Sequence, residues 1–216
     1  MIDTNEVADR VAQIRADITS AGGSDVSLVA VTKSFGVDAI RAAALAGCDA
    51  VGENYAQELV TKVAQGLPPI DVHFIGTLQS NKVRLLASDV ALWQSVDRES
   101  VIDELSRRAA GASILIQVDT TGERSKGGID LSEIDSMRQR AEKAGLHVAG
   151  LMTIGPTDGS QAECEKSFRL LRELVNQQAL AVCSMGMSAD FAIAVACGST
   201  MVRVGSALFG SRPIMN

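Results

Sequence analysis

The sequence is poor in aromatic residues: one Trp, one Tyr and five Phe among 216 residues. That argues against a ligand surface built by aromatic stacking. The apolar content rests on Ala, Val, Leu and Ile, which suits tightly packed helix-on-sheet layers. There is no basic surplus. The net charge of −6 speaks against nucleic acid as a principal partner, because Lys and Arg must displace the counterions of a phosphate backbone. The four cysteines, Cys48, Cys164, Cys183 and Cys197, are scattered without a Cys-x-x-Cys pair. A zinc site or disulfide framework is therefore not expected, and buried reduced thiols are. No apolar run approaches the length of a membrane span, and the segment from Met1 to Glu6 is acidic where a secretory leader would be basic and then apolar. The expectation is a soluble, cytoplasmic chain with no membrane partner. No Gly-x-Gly-x-x-Gly follows the first strand, which counts against a dinucleotide fold. No Pro- or Ser-rich linker divides the chain, so residues 1–216 read as a single domain.

What is present is a regular alternation. With 46% hydrophobic and 21% charged residues, wholesale disorder is excluded, and the length allows a large core. A helix over Thr4 to Ala21 carries Val7, Val11, Ile14 and Ile18 on one stripe. Strands then read at Leu28–Val31, Ala50–Asn54, Val72–Gly76, Ala91–Val96, Ser113–Asp119, His147–Met152, Ala179–Cys183 and Thr200–Val204. Helices fall between them: Val37–Ala46, Tyr55–Gln65, Ser80 to about Ala87, Asp97–Ala110, Asp130 or Ser132 to Ala144, Ser160 to about Asn176, and Ala189–Ala196. Eight βα units of this kind describe a (β/α)8 TIM barrel with an extra N-terminal helix. A doubly wound open sheet is the alternative.

In either architecture the site lies at the carboxyl ends of the strands. Lys33 stands there, just past an apolar strand. A lysine at the mouth of an apolar pocket tends to lose its proton and become nucleophilic, the starting point for a Schiff base. The plainer reading is a solvated lysine at a strand end. Glu53, Asn54, Thr77, Asp119, Thr153 and the loop Ser184–Ser188 gather at the same rim. Barrels often bind phosphate on the loops after strands seven and eight. Here Ser188 is placed to cap the helix expected from Ala189, while Gly205 and Ser206 offer further backbone N–H groups. Arg203 interrupts the apolar strand Met201–Val204. It needs a partner, either an inward carboxylate such as Glu53 or a ligand. A Schiff-base lysine, a phosphate cup and an inward arginine together point to pyridoxal 5′-phosphate (PLP).

Seven motifs carry a resemblance along nearly the whole chain: Val31-Thr-Lys-Ser34, Gly52-Glu-Asn-Tyr-Ala-Gln-Glu58, His73-Phe-Ile-Gly-Thr-Leu-Gln-Ser-Asn-Lys82, Ser125-Lys-Gly-Gly128, Gly150-Leu-Met-Thr-Ile-Gly155, Ser184-Met-Gly-Met-Ser188 and Gly198-Ser-Thr-Met-Val-Arg-Val-Gly205. In these the sequence resembles the pyridoxal phosphate homeostasis proteins, a PLP-binding family. The resemblance implies an alanine-racemase-like barrel holding PLP as an aldimine on Lys33. It implies that Ser188, Gly205 and Ser206 hold the phosphate, that Arg203 faces the pyridine nitrogen, and that Asn54, His73 and Met152 line the pocket. Two positions depart from the family: Ser34-Phe35-Gly36 replaces a Lys-Thr-x-Pro type of continuation, and Ala192 stands where Glu is common.

An arginine at the pyridine nitrogen disfavours a proton there, which leaves the ring a poor electron sink. Racemases of this type carry a second acid/base tyrosine from an additional domain. This chain ends at Asn216, and its one tyrosine, Tyr55, follows Asn54 elsewhere. His73 and His147 lie near strand starts. The resemblance thus implies a PLP carrier in vitamin B6 homeostasis without catalytic residues, with apo PLP-dependent enzymes as candidate recipients, and the absence of a second domain argues for a monomer. A weak amino-acid racemase is the alternative, and a Schiff-base aldolase acting on a phosphosugar is a third reading. Lys62, Lys82 and Lys126 read as solvated or loop-structuring, and Met152, Met185 and Met187 as packing around the pocket.

Overall fold

The structure, a computed structural model, describes residues 2–157 and 159–211. Met1, Asp158 and residues 212–216, Asn216 among them, lie outside the described residues. Helix α1 (Thr4–Ser20) opens on Asp3, whose carboxylate accepts from the amides of Asn5 and Glu6. Its buried stripe is Val7, Val11, Ile14 and Ile18.

Strand and helix then alternate: β1 (Ser27–Val31), α2 (Val37–Leu45), β2 (Ala50–Glu53), α3 (Ala56–Ala64), β3 (Asp71–Phe74), α4 (Val83–Leu86), β4 (Leu92–Val96) and α5 (Glu99–Arg108). They continue through β5 (Ser113–Gln117), α6 (Ile134–Lys143), β6 (His147–Met152), α7 (Gln161–Gln177), β7 (Val182–Ser184), α8 (Phe191–Ala196), β8 (Met201–Val204) and α9 (Ser206–Phe209). The strands are parallel and pair in chain order, and β8 returns to β1 to close the barrel. That closure excludes the open, doubly wound sheet.

The run Leu28–Val31 is buried because both faces of a closed parallel sheet are covered. Leu28 and Ala30 face the helices, whereas Val29 joins Ala50, Leu92, Leu115, Met152 and Met201 in a small cluster inside the barrel. Helix α1 packs on α2, α8 and α9. It thereby covers the gap beside the β1–β8 seam with its Val/Ile stripe.

Most boundaries agree with the sequence reading to within two residues, and the larger differences have local causes. Strand β7 starts at Val182, three residues later than expected, because the chain leaves α7 through Ala179 in a left-handed conformation (φ 49°). Residues Ser80–Lys82 form a 3₁₀ turn leading into α4, and its cap position is Gln79. Helix α8 begins at Phe191, two residues after the expected start. The short α9 was not anticipated. The Ser160 cap holds, with Glu163 completing a reciprocal capping box. All four cysteines are free and buried.

Gly150 lies opposite Val182, where β6 passes close to β7. A Cβ there would stand 1.9 Å from the Val182 carbonyl oxygen. Backbone cannot yield as a side chain tip does. Gly150→Ala is expected to cost about 3 kcal/mol of unfolding free energy, or to prevent folding. Urea titration followed by circular dichroism checks this; a loss below about 1 kcal/mol would show that β6 and β7 separate freely.

Candidate functional site

A cavity of about 590 Å³ opens at the carboxyl rim over the β1–β8 seam. Its volume suits a small cofactor. Val31, Lys33 and Phe35 come from the end of β1; Met187, Ser188 and Ala189 from the loop after β7; Arg203, Gly205 and Ser206 from the end of β8. Gly210 and Ser211 complete the wall. The register explains the meeting. Val29 sits opposite Arg203 and Ala30 opposite Val204, so residues two further along each chain, Val31 and Gly205, also face each other. A Cβ on Gly205 would lie 3.3 Å from Val31 Cβ, so glycine keeps the two strand ends close.

Arg203 is the buried cation of the site, 4% exposed. It does not pair with Glu53. Its guanidinium donates to Ser184 Oγ at 2.6 Å and to the Thr153 carbonyl at 2.7 Å. Ser184 Oγ in turn donates to Gln94 Oε1 (2.7 Å), and the Gln94 amide stands 2.9 Å from His73 Nδ1. A polar chain thus crosses the inside of the barrel from Arg203 to His73. Burial pushes the Arg203 guanidinium down to about 10, against the field of Asp190, which still leaves it charged near neutrality. Two of its five N–H donors are used by these partners.

Ser188 does not cap α8. Its hydroxyl oxygen accepts from the amides of Gly205 (3.1 Å) and Ala207 (3.2 Å), so it ties the β7 loop to the β8 loop. The residue before α8 is Asp190, whose carboxylate accepts from the Met187 amide. The Ser188 proton therefore remains available to donate. Ser188, Ala189 and Ser206 all line the cavity, and among the described residues none of their amides has a hydrogen-bond partner in the chain. An anion placed there would meet several donors.

Glu53 is paired with Lys62 instead. Lys62 is 3% exposed, which overturns the reading of it as solvated. Its ammonium lies 2.6 Å from Glu53 Oε1, 2.6 Å from Glu58 Oε1 and 2.8 Å from the Thr32 carbonyl. Burial pushes the Glu53 carboxyl up; the Lys62 ammonium and the hydroxyl of Thr32 oppose that shift. Lys126 ties two rim loops together, donating to the Gly155 carbonyl and pairing with Glu123 at 3.0 Å.

Of the residues singled out from the sequence, Lys33, Ser188, Arg203, Gly205 and Ser206 share the cavity. Asn54, His73 and Met152 do not line it. Asn54 lines a neighbouring cavity of about 210 Å³ with Tyr55, Phe74, Thr77 and Lys82. His73 and Met152 face the barrel interior below, where Met152 belongs to the inner apolar cluster. Met187 lines the cavity, while Met185 is fully buried in the core. Phe35, one of the departures from the family pattern, packs against Phe209 with ring centroids 5.3 Å apart. Ala192 faces an outer groove between α7 and α8. Sequence reasoning gave Ser184 a place in the rim loop but not its bond to Arg203, and it assigned no role to Gln94 or Glu58; a polar residue inside an otherwise apolar strand is the one signal that could have flagged Gln94.

The sequence profile of the "Alanine racemase, N-terminal domain" family matches residues 2–213. The pyridoxal phosphate homeostasis protein of Haemophilus influenzae is 41% identical over 204 residues, covering 87% of this chain and 85% of that protein. The structure of PipY from Synechococcus elongatus with PLP bound superposes with a TM-score of 0.84 at 32% identity, covering 94% of this chain and 100% of that one. Alanine racemase from Bacillus anthracis superposes at 0.76 with 19% identity, covering 98% of this chain and 57% of the enzyme, a likeness of fold alone.

The Gln94–His73 contact carries a pH signature. Burial pushes the His73 imidazole from its ordinary 6.5 down to about 4, against the pull of Asp71. Between those values the unfolded chain takes up a proton that the native protein refuses. The His73 contribution to stability is therefore fully present above pH 6.5 and is lost as the pH drops toward 4. The slope from this one group is about 1.4 kcal/mol per pH unit. His73→Asn, which keeps an acceptor for Gln94, is expected to remove that component from a series of urea titrations between pH 4.5 and 7. Parallel pH profiles for the two proteins would contradict it.

Proposed function

The chain belongs to the alanine racemase N-terminal domain family, in its pyridoxal phosphate homeostasis branch, and from that premise we propose that it holds PLP in the cavity over the β1–β8 seam. The observation that carries this reading is the wall itself: a primary amine, a buried guanidinium and loop amides without a partner among the described residues, around one space of about 590 Å³. When bound, PLP supplies an aldehyde carbon and an electron-withdrawing ring. Lys33 is the group that attaches to that carbon. Ser188 donates its remaining proton to the phosphate, and the amide of Ser206 adds to it; Gly205, by letting the ends of β1 and β8 approach closely, keeps the cup compact. Arg203 faces the pyridine nitrogen.

The role that fits these groups is that of a carrier acting in vitamin B6 homeostasis, with no catalytic residue of its own. Arg203 stays charged, so it keeps a proton off the ring nitrogen and weakens carbanion stabilisation. Among the described residues no Tyr or His lines the cavity, and Tyr55 belongs to the neighbouring one. Among the described wall residues there is thus no Tyr or His to act as a second acid/base group, which supports the carrier reading over a racemase. The reading includes a monomer working in the cytoplasm, with apo PLP-dependent enzymes as recipients. No described helix is long and apolar enough to cross a membrane. Asn54, His73 and Met152 contribute from beneath and beside the cavity.

Incubation with PLP, absorbance spectroscopy, borohydride reduction and peptide mapping form the test. The expected result is a visible band, bleached by borohydride, with a phosphopyridoxyl mass on Lys33 that Lys33→Ala abolishes. A protein that takes up no PLP would overturn the reading and bring a phosphosugar aldolase forward. In ²H₂O, α-hydrogen exchange of L-alanine is expected to be no faster than with free PLP. Exchange that depends on Lys33 would replace the carrier with a weak racemase.

A further inference from the structure

The Lys33 backbone is held from both sides by a cluster that does not itself reach the cavity wall. Thr32 and Ser34 flank Lys33. The Thr32 carbonyl accepts from Lys62 Nζ at 2.8 Å. The Ser34 amide donates to Glu58 Oε1 at 2.7 Å. Lys62 and Glu58 are joined to each other at 2.6 Å, and Glu53 Oε1 anchors the pair from below, taking Lys62 Nζ and the Thr32 hydroxyl at 2.6 Å each. Thr32 and Glu53 are fully buried. The three ammonium protons of Lys62 thus meet three acceptors, so none remains for a ligand. Whatever Lys62 does for the site, it does through the backbone.

The conformation being held is an uncommon one. Ser34 has φ 66°, in the left-handed region that residues with a side chain seldom adopt. A charged acceptor on its N–H is the kind of surrounding contact that keeps such a residue in place. The turn at Ser34 ends β1 abruptly and leaves the Lys33 side chain in the cavity wall beside Val31.

We propose that Glu58 and Lys62 are positioning residues for Lys33, fixing the peptide groups before and after it so that its amine meets the cavity in one orientation. The proposal rests on the reading of Lys33 as the attachment point for PLP. In that attachment the nitrogen of Lys33 bonds to the aldehyde carbon, a C=N bond replaces the C=O bond, and two amine hydrogens leave with the aldehyde oxygen as water. The reaction needs the nitrogen close to the carbon and on the correct line of approach. The phosphate cup, on the β7 and β8 loops, is built from other segments. The clamp should therefore govern attachment and leave simple docking of the cofactor unchanged.

Two probes separate these quantities. PLP reports attachment through the growth of its visible band and the yield of borohydride-fixed Lys33. The 4′-deoxypyridoxine 5′-phosphate analogue has the ring and phosphate but no aldehyde, so its affinity reports docking alone. In Glu58→Ala, attachment is expected to slow by about 10-fold or more, while analogue affinity changes by less than about 2-fold. Glu58→Gln keeps an amide oxygen for the Ser34 N–H and is expected to restore the rate to within about 3-fold of the unaltered protein. Lys62→Met is expected to show the Glu58→Ala pattern if it folds; the two Glu58 variants decide the matter if it does not. Equal losses in attachment and docking, or an unchanged attachment rate in Glu58→Ala, would overturn the proposal and leave the cluster a plain structural one. Absence of a Lys33 adduct in the unaltered protein would instead remove the anchor reading, and this inference with it.

Discussion

Pairing of β1 with β8 is the constraint on which the site depends. Lys33 and Arg203 lie near opposite ends of the sequence, and only closure of the barrel places their strands side by side. The register does the rest. With Val29 opposite Arg203, inward residues of both strands share the same level of the barrel, and the loops above them form one wall. Gly205 permits the close approach at the rim, and α1 covers the seam from outside. The hydrogen bonds of Ser188 to Gly205 and Ala207 bring the β7 loop into the same wall.

Two buried cations serve this site in opposite ways. Lys62 is neutralised in place by Glu53 and Glu58, and its protons are fully used. It is structural, and its influence on the cavity passes through the peptide groups of Thr32 and Ser34. Arg203 is held by neutral acceptors, Ser184 and the Thr153 carbonyl, with no carboxylate paired to it among the described residues. The field of Asp190 offsets part of its charge, and the rest is left for the cavity. A buried charge without a counter-ion is costly unless hydrogen bonds and a ligand offset it. That asymmetry is the physical reason to expect an anionic or electron-rich group in the space that Arg203 borders.

Much of this was legible in the sequence. Apolar runs bounded by glycine and polar residues marked all eight strands, and the even alternation with helices implied the barrel. Lys33 and Arg203 stood out because each is a cation at the end of, or inside, an apolar strand. The seven motifs then tied both to one family. What stayed hidden depended on three-dimensional neighbours. Lys62 follows Glu58 by four residues on a helix, a spacing that usually means a solvated surface pair; nothing local shows that β2 brings Glu53 beneath it. Ser188 precedes a helix and is of capping type, yet two amides across the rim outcompete the helix for its oxygen. The Glu53–Arg203 pair was plausible on charge alone, but the barrel gives Glu53 to Lys62 and gives Arg203 a serine. Ala179 begins as if in a strand and turns left-handed because α7 ends there.

A crystal structure of the protein grown with PLP tests the central claim most directly. The account predicts the ring in the cavity over the β1–β8 seam, joined to Lys33 Nζ, with its phosphate on Ser188, Gly205 and Ser206 and its ring nitrogen toward Arg203. A cofactor seated in the neighbouring cavity beside Asn54 and Lys82, or attached to a different lysine, would contradict it.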